Sequence, residues 1–548
     1  IRRKIMKKFF AAILSVVLGV GFMTSCGGKE SQSSADGKDY ASRPVQFEFS
    51  YYKGGYGSEY LKAVTEDYMD NVAPDVYIKL RASSSNITTK ANISSGVGAS
   101  DLHQIEYGMF DMASSLEEIS DVYEMQVYGE EVKVKDKVNP EMLDFYNENG
   151  KYYQFDFNKK SGWNWVYNDS VLKAALGENY VLPKTTDEFF KMGDELYNKG
   201  VYLTAGALRD TQGGEYLQYV FSGWFAQMLG AETNEKYFNG YTKNVGGEWV
   251  FCKDNPQMIT DNKSSIEAVY AVAEKLLKRQ ASGQYLHKES ASFEYKDLDK
   301  VFYGGKFNRQ TVARFAFAYI GEWLEREVSE FFEDGSLKEK DQGIKAMKLP
   351  VISAIISRTP TINDDATLSK VVDFVDGNAA ALPDGVSEAD AEIVREARNM
   401  VVKNICNQLV IPKSAKNKDA IKQFIAYLCS DRAQKIAAKA ASGTAMLPYG
   451  YVPADEDMGF TISDYIRSVA AVSDVNAMVS VDSAHLNSAL VRISYLTWYY
   501  DKKNPSRTIA KDIYGGSYTP VSEIYDSTYE NFNRSWANFI RSYEEKTK

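Results

Sequence analysis

The sequence predicts an α/β protein with more than one lobe, and three observations lead to this. Segments with strand-like and helix-like periodicity alternate from about residue 46 onward, which is typical of a parallel sheet covered by helices. The chain has 548 residues, more than one typical domain accommodates. Its composition, 44% hydrophobic and 25% charged, is that of an ordinary folded soluble protein.

The first part of the chain alternates strands with helices. Gln46–Tyr52 alternates like a strand, and Ser58 is a suitable N-cap for the helix that follows the glycine-rich loop. Two further strands are predicted at Val76–Leu80 and Leu102–Tyr107, with a helix at Asn86–Ser95 between them. This order predicts that the three strands lie parallel in one sheet.

Later segments are predicted mainly from helical periodicity and capping signals. Thr185 and Glu188 have the spacing of a capping box, and Gly200 marks the end of that helix. Further helices are predicted at Tyr216–Leu229, Ile266–Arg279, Glu388–Met400, Asp419–Leu428 and Asp431–Ala441, and short strands at Lys348–Val351 and Gln408–Ile411. The residues after Pro453 are expected to be largely helical and are rich in tyrosine.

The N-terminus has the features of an export signal. Basic residues precede Phe9–Phe22, an apolar run shorter than the roughly 20 residues of a membrane span. Small residues then precede Cys26, as in a bacterial lipoprotein signal, with initiation expected at Met6. We therefore expect residues 1–25 to be a signal peptide, Cys26 to be lipidated, and 26–42 to be a flexible linker. An ordinary signal peptide is the alternative, and both predict export.

Composition and motifs exclude several functions. The net charge is −10, and removing residues 1–25 with their five basic residues makes it more negative, which argues against nucleic acid as a partner. No C-x-x-C occurs, and the three histidines (His103, His287, His485) lack metal-ligand spacing. G-x-S-x-G and P-loop motifs are missing too, so we expect no metal, cofactor or catalytic residues. A calcium ion and a Cys406–Cys429 bridge stay open.

The stretch 303–324 carries the strongest indication of a binding site. Ala313–Ile320 is apolar and of strand length, Gly321 interrupts it, and a helix is expected from Glu322. This order places Trp323 at the carboxyl end of a strand, where open α/β sheets bind ligands. An indole there offers a flat apolar face to a sugar ring. From spacing alone, Trp323 fits a core position better than a binding position, because most aromatic side chains belong to the core.

Five segments, residues 51–80, 94–108, 163–200, 304–324 and 407–448, together cover most of residues 40–453. Taken in this order, they resemble the family-1, sugar-type extracellular solute-binding proteins of bacterial ABC importers. In the second segment Ser100 replaces the proline of the family pattern. The insert at about 357–400 and the tail after 453 are larger than this family leads us to expect.

The resemblance implies a fold and an organisation. The expected fold is the two-lobed, type II periplasmic-binding-protein fold, with a hinge and a ligand cleft between the lobes. Lobe 1 would comprise 43–155 and a return segment at 403–448, whereas lobe 2 would comprise 156–402, completed by a helical part at 449–548. The implied partners are a small sugar and the permease subunits of an ABC importer. We expect a monomer, lipid-anchored on the extracytoplasmic face of the cell membrane.

The resemblance also selects candidate ligand-binding residues. It favours Trp323, Trp163 and Trp224 as aromatic stacking residues, with Trp224 about equally suited to the core. Glu106 follows the third strand of lobe 1, where the family places a carboxylate on ligand hydroxyls, although a surface acid or N-cap is an equal alternative. Weaker candidates are Tyr52 and Glu322, and Trp165 ranks below Trp163.

The expected function is capture of a carbohydrate, expected to be an oligosaccharide, without turnover. Two alternatives stay open at this point. Abundant Asp and Glu would suit a secreted glycoside hydrolase, yet nothing in the sequence pairs two carboxylates. A surface glycan-binding protein without a transport role would use the same fold.

Overall fold

The chain forms two lobes, each built around one sheet. The computed structural model describes residues 39–52, 55, 57–83, 86–105, 110–157, 161–209, 211–278, 285–338, 342–404, 407–473, 477–480, 509–515 and 522–547. Glu106, Cys26, Cys406 and the apolar run at Phe9–Phe22 therefore lie outside the described residues. Among the helices that are described, none combines the length and the apolar composition needed to cross a bilayer.

The strands, in chain order, divide between the two lobes and one small hairpin. They are β1 Val45–Tyr52, β2 Val76–Ser83, β3 Leu102–Ile105, β4 Phe155–Asp156, β5 Ser161–Asn168, β6 Tyr202–Thr204, β7 Tyr241–Lys243, β8 Trp249–Phe251, β9 Phe315–Gly321, β10 Ile344–Met347, β11 Met400–Asn404, β12 Gln408–Val410 and β13 Ala477–Ser480. The hairpin consists of β7 and β8.

Lobe 1 is the sheet with strand order β2-β1-β3-β12-β4 and the helices packed on it. β1 lies parallel to both β2 and β3, which confirms the parallel arrangement predicted for the first three strands. β12 enters from the distant return segment and runs antiparallel to β3 and β4.

Lobe 2 is the sheet with strand order β13-β11-β5-β9-β6, with β10 also pairing with β5. β9 is buried along its whole length because hydrophobic clusters cover both of its faces. Phe317 packs into one cluster and Ile320 into the other. A strand buried on both sides is a near-continuous apolar run, which explains why Phe315–Gly321 was recognisable in the sequence.

Helices cover both sheets. Up to residue 157 they are α1 Glu59–Asp67, α2 Asn86–Ser95, α3 Ser120–Glu124, α4 Val134–Lys137 and α5 Pro140–Tyr146, with short 3-10 segments at Tyr40–Ser42 and Phe110–Ser115 and a π-helical turn at Tyr68–Val72. From 161 to 404 they are α6 Asp169–Leu176, α7 Thr186–Tyr197, α8 Thr211–Leu229, α9 Ala231–Phe238, α10 Gln257–Asp261, α11 Lys263–Leu277, α12 Tyr295–Phe302, α13 Leu324–Glu333, α14 Asp365–Val375 and α15 Glu388–Asn399, with a 3-10 turn at Ser353–Arg358. From 407 onward they are α16 Lys418–Leu428, α17 Asp431–Ala440, α18 Asp455–Met458, α19 Asp464–Ser473, α20 Ile509–Tyr514 and α21 Ser522–Thr547.

Several predicted elements are confirmed almost to the residue. The periodic segment Asp419–Leu428 corresponds to α16, and its apolar face packs Phe424 against Phe49 of lobe 1 at a ring-centroid distance of 6.2 Å. Thr185 caps α7 by accepting a hydrogen bond from the Glu188 backbone N–H at 3.2 Å. The Glu188 carboxylate, however, accepts from the N–H of Lys184, one residue before the position that a capping box requires.

Two local predictions need correction. The strand predicted at Lys348–Val351 lies instead at Ile344–Met347, because Pro350 lacks the N–H that a ladder needs. Ser58 occupies the N-cap of α1, yet its side chain makes no capping hydrogen bond. The question of a Cys406–Cys429 bridge, which the sequence left open, is answered by Cys429, since it is a free and fully buried thiol.

The insert and the tail both pack onto lobe 2. Within the insert, α14 and α15 pack against each other and contribute Leu368 and Val394 to the largest core cluster. In the tail, the buried Trp536 of α21 donates its indole N–H to the Cys252 carbonyl at 2.7 Å. These additions therefore enlarge the core of lobe 2.

The candidate Trp224 belongs to this core. Its side chain is 0% exposed, and its indole N–H donates to the Pro350 carbonyl at 3.1 Å. Trp165 is equally buried and packs on Phe189 and Tyr319. An indole without exposed surface offers no face to a ligand, so this conformation assigns both tryptophans a packing role.

We expect Trp224→Ala to destabilise the protein by about 3–5 kcal/mol, because it leaves a large cavity and an unpaired carbonyl. Urea denaturation of the purified chain measures this. Trp249→Ala, on the half-buried β7–β8 hairpin, is the matched control and should cost much less. Unchanged stability of Trp224→Ala with lost ligand binding would restore the stacking role.

Candidate functional site

The carboxyl end of β9 carries the tryptophan around which the candidate site is built. β9 ends at Gly321, and Trp323 takes the N-cap position of α13. A Cβ atom on Gly321 would lie 2.3–2.4 Å from three carbons of the Trp323 ring. The indole therefore lies directly across the strand end, in a position that only a glycine at 321 permits.

Lobe 1 contacts the same indole from the opposite side. A Cβ atom on Gly55 would lie 2.7 Å from Cδ1 of Trp323 and 2.8 Å from Oε1 of Glu327. Arg326, on the first turn of α13, forms an ion pair with Glu59 of lobe 1. The two lobes thus meet at the beginning of α13.

The charge on Glu59 is stabilised at this contact. Burial disfavours the ionised carboxylate, but the backbone N–H groups of Glu59 and Ser58 and the Arg326 guanidinium outweigh burial. Together they hold the pKa of Glu59 below its ordinary value. The interlobe ion pair is therefore fully charged at neutral pH.

A cavity of about 740 Å³ opens beside Trp323. Lobe 2 supplies the wall formed by Trp323 and Arg326, and lobe 1 supplies the loop after α17 with Ser442, Thr444 and Met446. Residues 460–466 form a third wall. This volume falls within the range of roughly 300–1,000 Å³ that small-molecule sites occupy.

The lining combines flat apolar surfaces with hydrogen-bonding groups. Its aromatic members are Tyr303, Trp323, Phe332, Phe460 and Tyr465, its hydroxyl members are Ser329, Ser442, Thr444, Thr461 and Ser463, and its carboxylates are Glu322, Glu325 and Asp464. Two of the carboxylates are already oriented, since Glu325 accepts from Ser463 Oγ at 2.8 Å and Asp464 pairs with Lys345 at 3.1 Å. Such a surface suits a ligand with an apolar ring face and a polar edge.

Glu322 separates this cavity from a second one. It is 7% exposed and lines both the larger cavity and a neighbouring cavity of about 400 Å³, which reaches Tyr451 and Arg467. The backbone just before Glu322 is held in place, because Tyr465 donates its hydroxyl to the Gly321 carbonyl at 2.8 Å. A carboxylate at this junction can interact with groups in either cavity.

The carboxylate of Glu327 lies beneath the Trp323 indole, outside the larger cavity. Glu327 accepts a hydrogen bond from the Trp323 side chain and lies against the buried Asp299 of α12. Burial raises the pKa of Glu327 to about 7. The orientation of the indole is therefore tied to a carboxyl group that titrates near neutrality.

The structure brings some of the predicted site residues together. Trp323 and Glu322 line the same cavity. Tyr52 is the last residue of β1, half-buried, with its N–H donating to Gln104 Oε1 at 3.3 Å. The backbone of Trp163 pairs with that of Gly321 in the β5–β9 ladder, which places it beside the same strand end. The side chain of Trp163 and the whole of Glu106 lie outside what the structure describes.

Sequence reasoning missed three kinds of site residue. Arg326 and Glu327 follow Trp323 at helical spacing, and their placement on one helical turn could have been anticipated from a capped helix at 324. The Ser442–Met446 wall and Asp299 carried no local signal, because only the tertiary fold places them beside Trp323. Among the described residues, no group of three or more His, Cys, Asp or Glu side chains forms a metal site.

Solved structures with the same architecture are carbohydrate receptors. The chitin oligosaccharide binding protein matches with a TM-score of 0.55 at 14% identity, over 89% of this chain and 99% of that one. RafE from Streptococcus pneumoniae matches with a TM-score of 0.54 at 13% identity, over 89% of this chain and 97% of that one. The bacterial solute receptor AcbH matches with a TM-score of 0.55 at 13% identity, over 91% of this chain and 100% of that one. No protein-family model and no curated protein sequence matches the chain.

The fold is therefore that of the two-lobed, type II sugar receptors. The fold predicted from the resemblance is confirmed, together with the resemblance itself at the level of architecture. At these sequence identities the likeness establishes the fold alone.

Proposed function

We propose that this chain is a carbohydrate-binding protein that captures a sugar, expected to be an oligosaccharide, between its lobes. The observation that carries the proposal is the interlobe cavity of about 740 Å³, with Trp323 and the oriented Glu325 on one wall and Asp464 on another. RafE has been solved in complex with raffinose, and another neighbour binds chitin oligosaccharides, which supports a carbohydrate as the ligand class.

The chemistry of the cavity matches what a sugar requires. The C–H face of a pyranose is apolar and stacks on an indole, whereas its hydroxyls donate to carboxylates. Glu325 accepts from Ser463 and Asp464 pairs with Lys345, and a carboxylate has about four acceptor positions, more than one such contact uses. Pre-oriented groups of this kind reduce the entropy cost of binding.

Contacts from both lobes link binding to closure. A ligand in the cavity would touch Trp323 of lobe 2 and the Ser442–Met446 loop of lobe 1 at once. Such a ligand binds more tightly to the closed conformation, in which it contacts both walls. It therefore shifts the open–closed equilibrium toward closure by the difference between its binding free energies for the two conformations. This is how a hinged receptor encloses a small polar molecule.

We further infer that the protein acts outside the cytoplasm as part of an ABC importer. The basis is the lipoprotein-like signal with Cys26, the flexible linker at 26–42, and the class of proteins that share the fold. In this proposal the chain is a monomer, anchored by lipid at Cys26, that delivers its sugar to permease subunits.

The glycoside hydrolase alternative makes different demands. Two catalytic carboxyl groups need a separation of about 5–5.5 Å in retaining enzymes and about 6.5–9.5 Å in inverting ones. The buried pair next to Trp323, Asp299 and Glu327, lies side by side instead, and neither residue lines the larger cavity. A glycan-binding protein without a transport role would bind sugar equally well, and only the permease distinguishes it from the proposed importer subunit.

Residues 27–548 should show a concentration-dependent rise in melting temperature with at least one sugar from a panel of raffinose, maltose, D-galactose and chitin oligosaccharides. Binding to the folded state alone stabilises it by mass action. Mass spectrometry after hours of incubation should recover the sugar intact. Cleavage of the bound sugar would assign the protein to the hydrolases, and no shift with any carbohydrate would contradict the proposed ligand class.

Trp323→Ala should weaken binding of the panel sugar by about thirtyfold, roughly 2 kcal/mol, because an anchoring aromatic face is lost. Isothermal titration calorimetry measures the affinity, and melting without sugar measures the fold. Trp249→Ala, far from the cavity on the β7–β8 hairpin, should bind as wild type does. If Trp323→Ala instead melts far below wild type without sugar and keeps its affinity at low temperature, the tryptophan has a packing role.

Cys26→Ala should release the protein from the membrane fraction or leave its precursor uncleaved, since the acyl chains attach to this thiol. Cell fractionation and metabolic labelling with a fatty acid measure both effects. Cys252→Ala, which alters a buried thiol in lobe 2, is the matched control and should stay membrane-bound. Normal acylation of Cys26→Ala would contradict the proposed anchor.

A further inference from the structure

Two carboxyl groups lie in contact beneath Trp323, with few partners besides each other. Asp299 of α12 is 1% exposed, and its carboxyl group lies against that of Glu327, close enough for the two to interact directly. Within the described part of the chain, no N–H group and no hydroxyl donates to either oxygen of Asp299 or to Oε2 of Glu327. Apart from Oε1 of Glu327, the oxygens of the pair therefore depend on each other for hydrogen bonding.

A hydrogen bond between two carboxyl groups requires a proton on one of them. Without it, two negative charges would lie in contact in a buried site, which is strongly unfavourable. Burial and the neighbouring Glu327 raise the pKa of Asp299 well above its ordinary value, and burial raises that of Glu327 to about 7. The geometry and the titration behaviour agree that at least one proton stays on the pair at neutral pH.

The surroundings provide little compensating positive charge. Lys296 is the cation that acts on both carboxyl groups, but its ammonium is engaged by Glu330 at 2.7 Å. The remaining titratable groups that face the pair are uncharged tyrosines or acids: Tyr216 from α8, Tyr295 from α12, Tyr303 after α12, Tyr465 from α19, and Glu330 from α13. Burial outweighs Lys296 at both carboxyl groups.

The pair also reaches the contact between the lobes. The Glu327 carboxylate accepts from the Trp323 side chain, and its Oε1 would lie 2.8 Å from a Cβ on Gly55 of lobe 1. A change in the position of Glu327 therefore moves the indole, the lobe contact, or both.

We propose that Asp299 and Glu327 are positioning residues that share a proton and thereby fix the Trp323 indole at the contact between the lobes. The effect of the fixed indole on ligand binding rests on the proposed carbohydrate-binding function, because the indole contacts a ligand only if the protein binds a sugar in this cavity. Asp299 keeps its proton while Glu327 loses its own near pH 7, so the pair passes from two protons to the one that it shares. The indole N–H then donates to a charged carboxylate instead of a neutral carboxyl group.

The pH dependence follows from the raised pKa values. In the unfolded chain Glu327 loses its proton near its ordinary pKa of 4.5, whereas in the folded chain it does so near 7. Between these values the folded state holds more protons than the unfolded state. The stability contributed by the protonated Glu327 is therefore fully present below about pH 4.5 and is lost as pH rises to about 7.

The test uses the chain 27–548 without any sugar, between pH 5 and pH 9. Wild type should lose about 2–4 °C more in melting temperature over this range than Asp299→Asn or Glu327→Gln. In either variant the amide donates to the remaining carboxylate and takes over the role of the shared proton. The fluorescence of Trp323 is obtained by subtracting the spectrum of the corresponding Trp323→Phe protein from that of each protein. Its emission maximum should shift with pH in wild type and stay constant in both amide variants.

Glu333→Gln, an exposed change on the same helix, is the matched control and should keep the wild-type profiles. Profiles that are flat in wild type, or identical in wild type and the amide variants, would overturn the proposal. Equal destabilisation of both amide variants at every pH would show a packing role instead and would overturn it too. This pH experiment needs no sugar. If no carbohydrate of the panel binds, the proposed function is refuted, but the pH experiment still tests the role of the carboxyl pair.

Discussion

The lack of a side chain at Gly321 is the constraint on which the candidate site depends. With a Cβ atom there, three carbons of the Trp323 ring would clash at 2.3–2.4 Å, so the indole could not lie across the end of β9. From this position the ring contacts Gly55 of lobe 1 and is held by Glu327. One backbone feature thus places an aromatic face, a lobe contact and a titrating carboxyl group within one turn of helix.

The candidate site needs residues from both lobes. Lobe 2 contributes the tryptophan and the start of α13, and lobe 1 contributes the Gly55 contact, Glu59 and the loop after α17. The cavity between them is lined by aromatic, hydroxyl and carboxylate groups, which is the combination that a ligand with one apolar and one polar side requires. The additions to lobe 2, the α14–α15 pair and α21, bury apolar surface in its core and contribute no residue to the cavity lining.

The carboxyl pair adds a chemical property that the fold class does not require. Asp299 and Glu327 lie in a position where burial favours the protonated form, while Asp299, Lys296 and, to a smaller extent, the Trp323 side chain favour a charge on Glu327. These opposing effects keep the titration of Glu327 near neutral pH. A small change in proton concentration can therefore act on the residue that links the lobes, which a fully charged ion pair such as Arg326–Glu59 cannot provide.

The sequence by itself determined the local elements and the position of Trp323. β9 was predictable because a strand buried on both faces is a continuous apolar run, and α16 because one apolar face repeats at helical spacing. The tertiary structure alone decided which aromatic side chains are accessible: Trp323 lines the cavity, whereas Trp224 and Trp165 are enclosed by the core. It alone brought Asp299 to Glu327 and the Ser442–Met446 loop to Trp323. These contacts join residues far apart in the chain, and local periodicity carries no information about them.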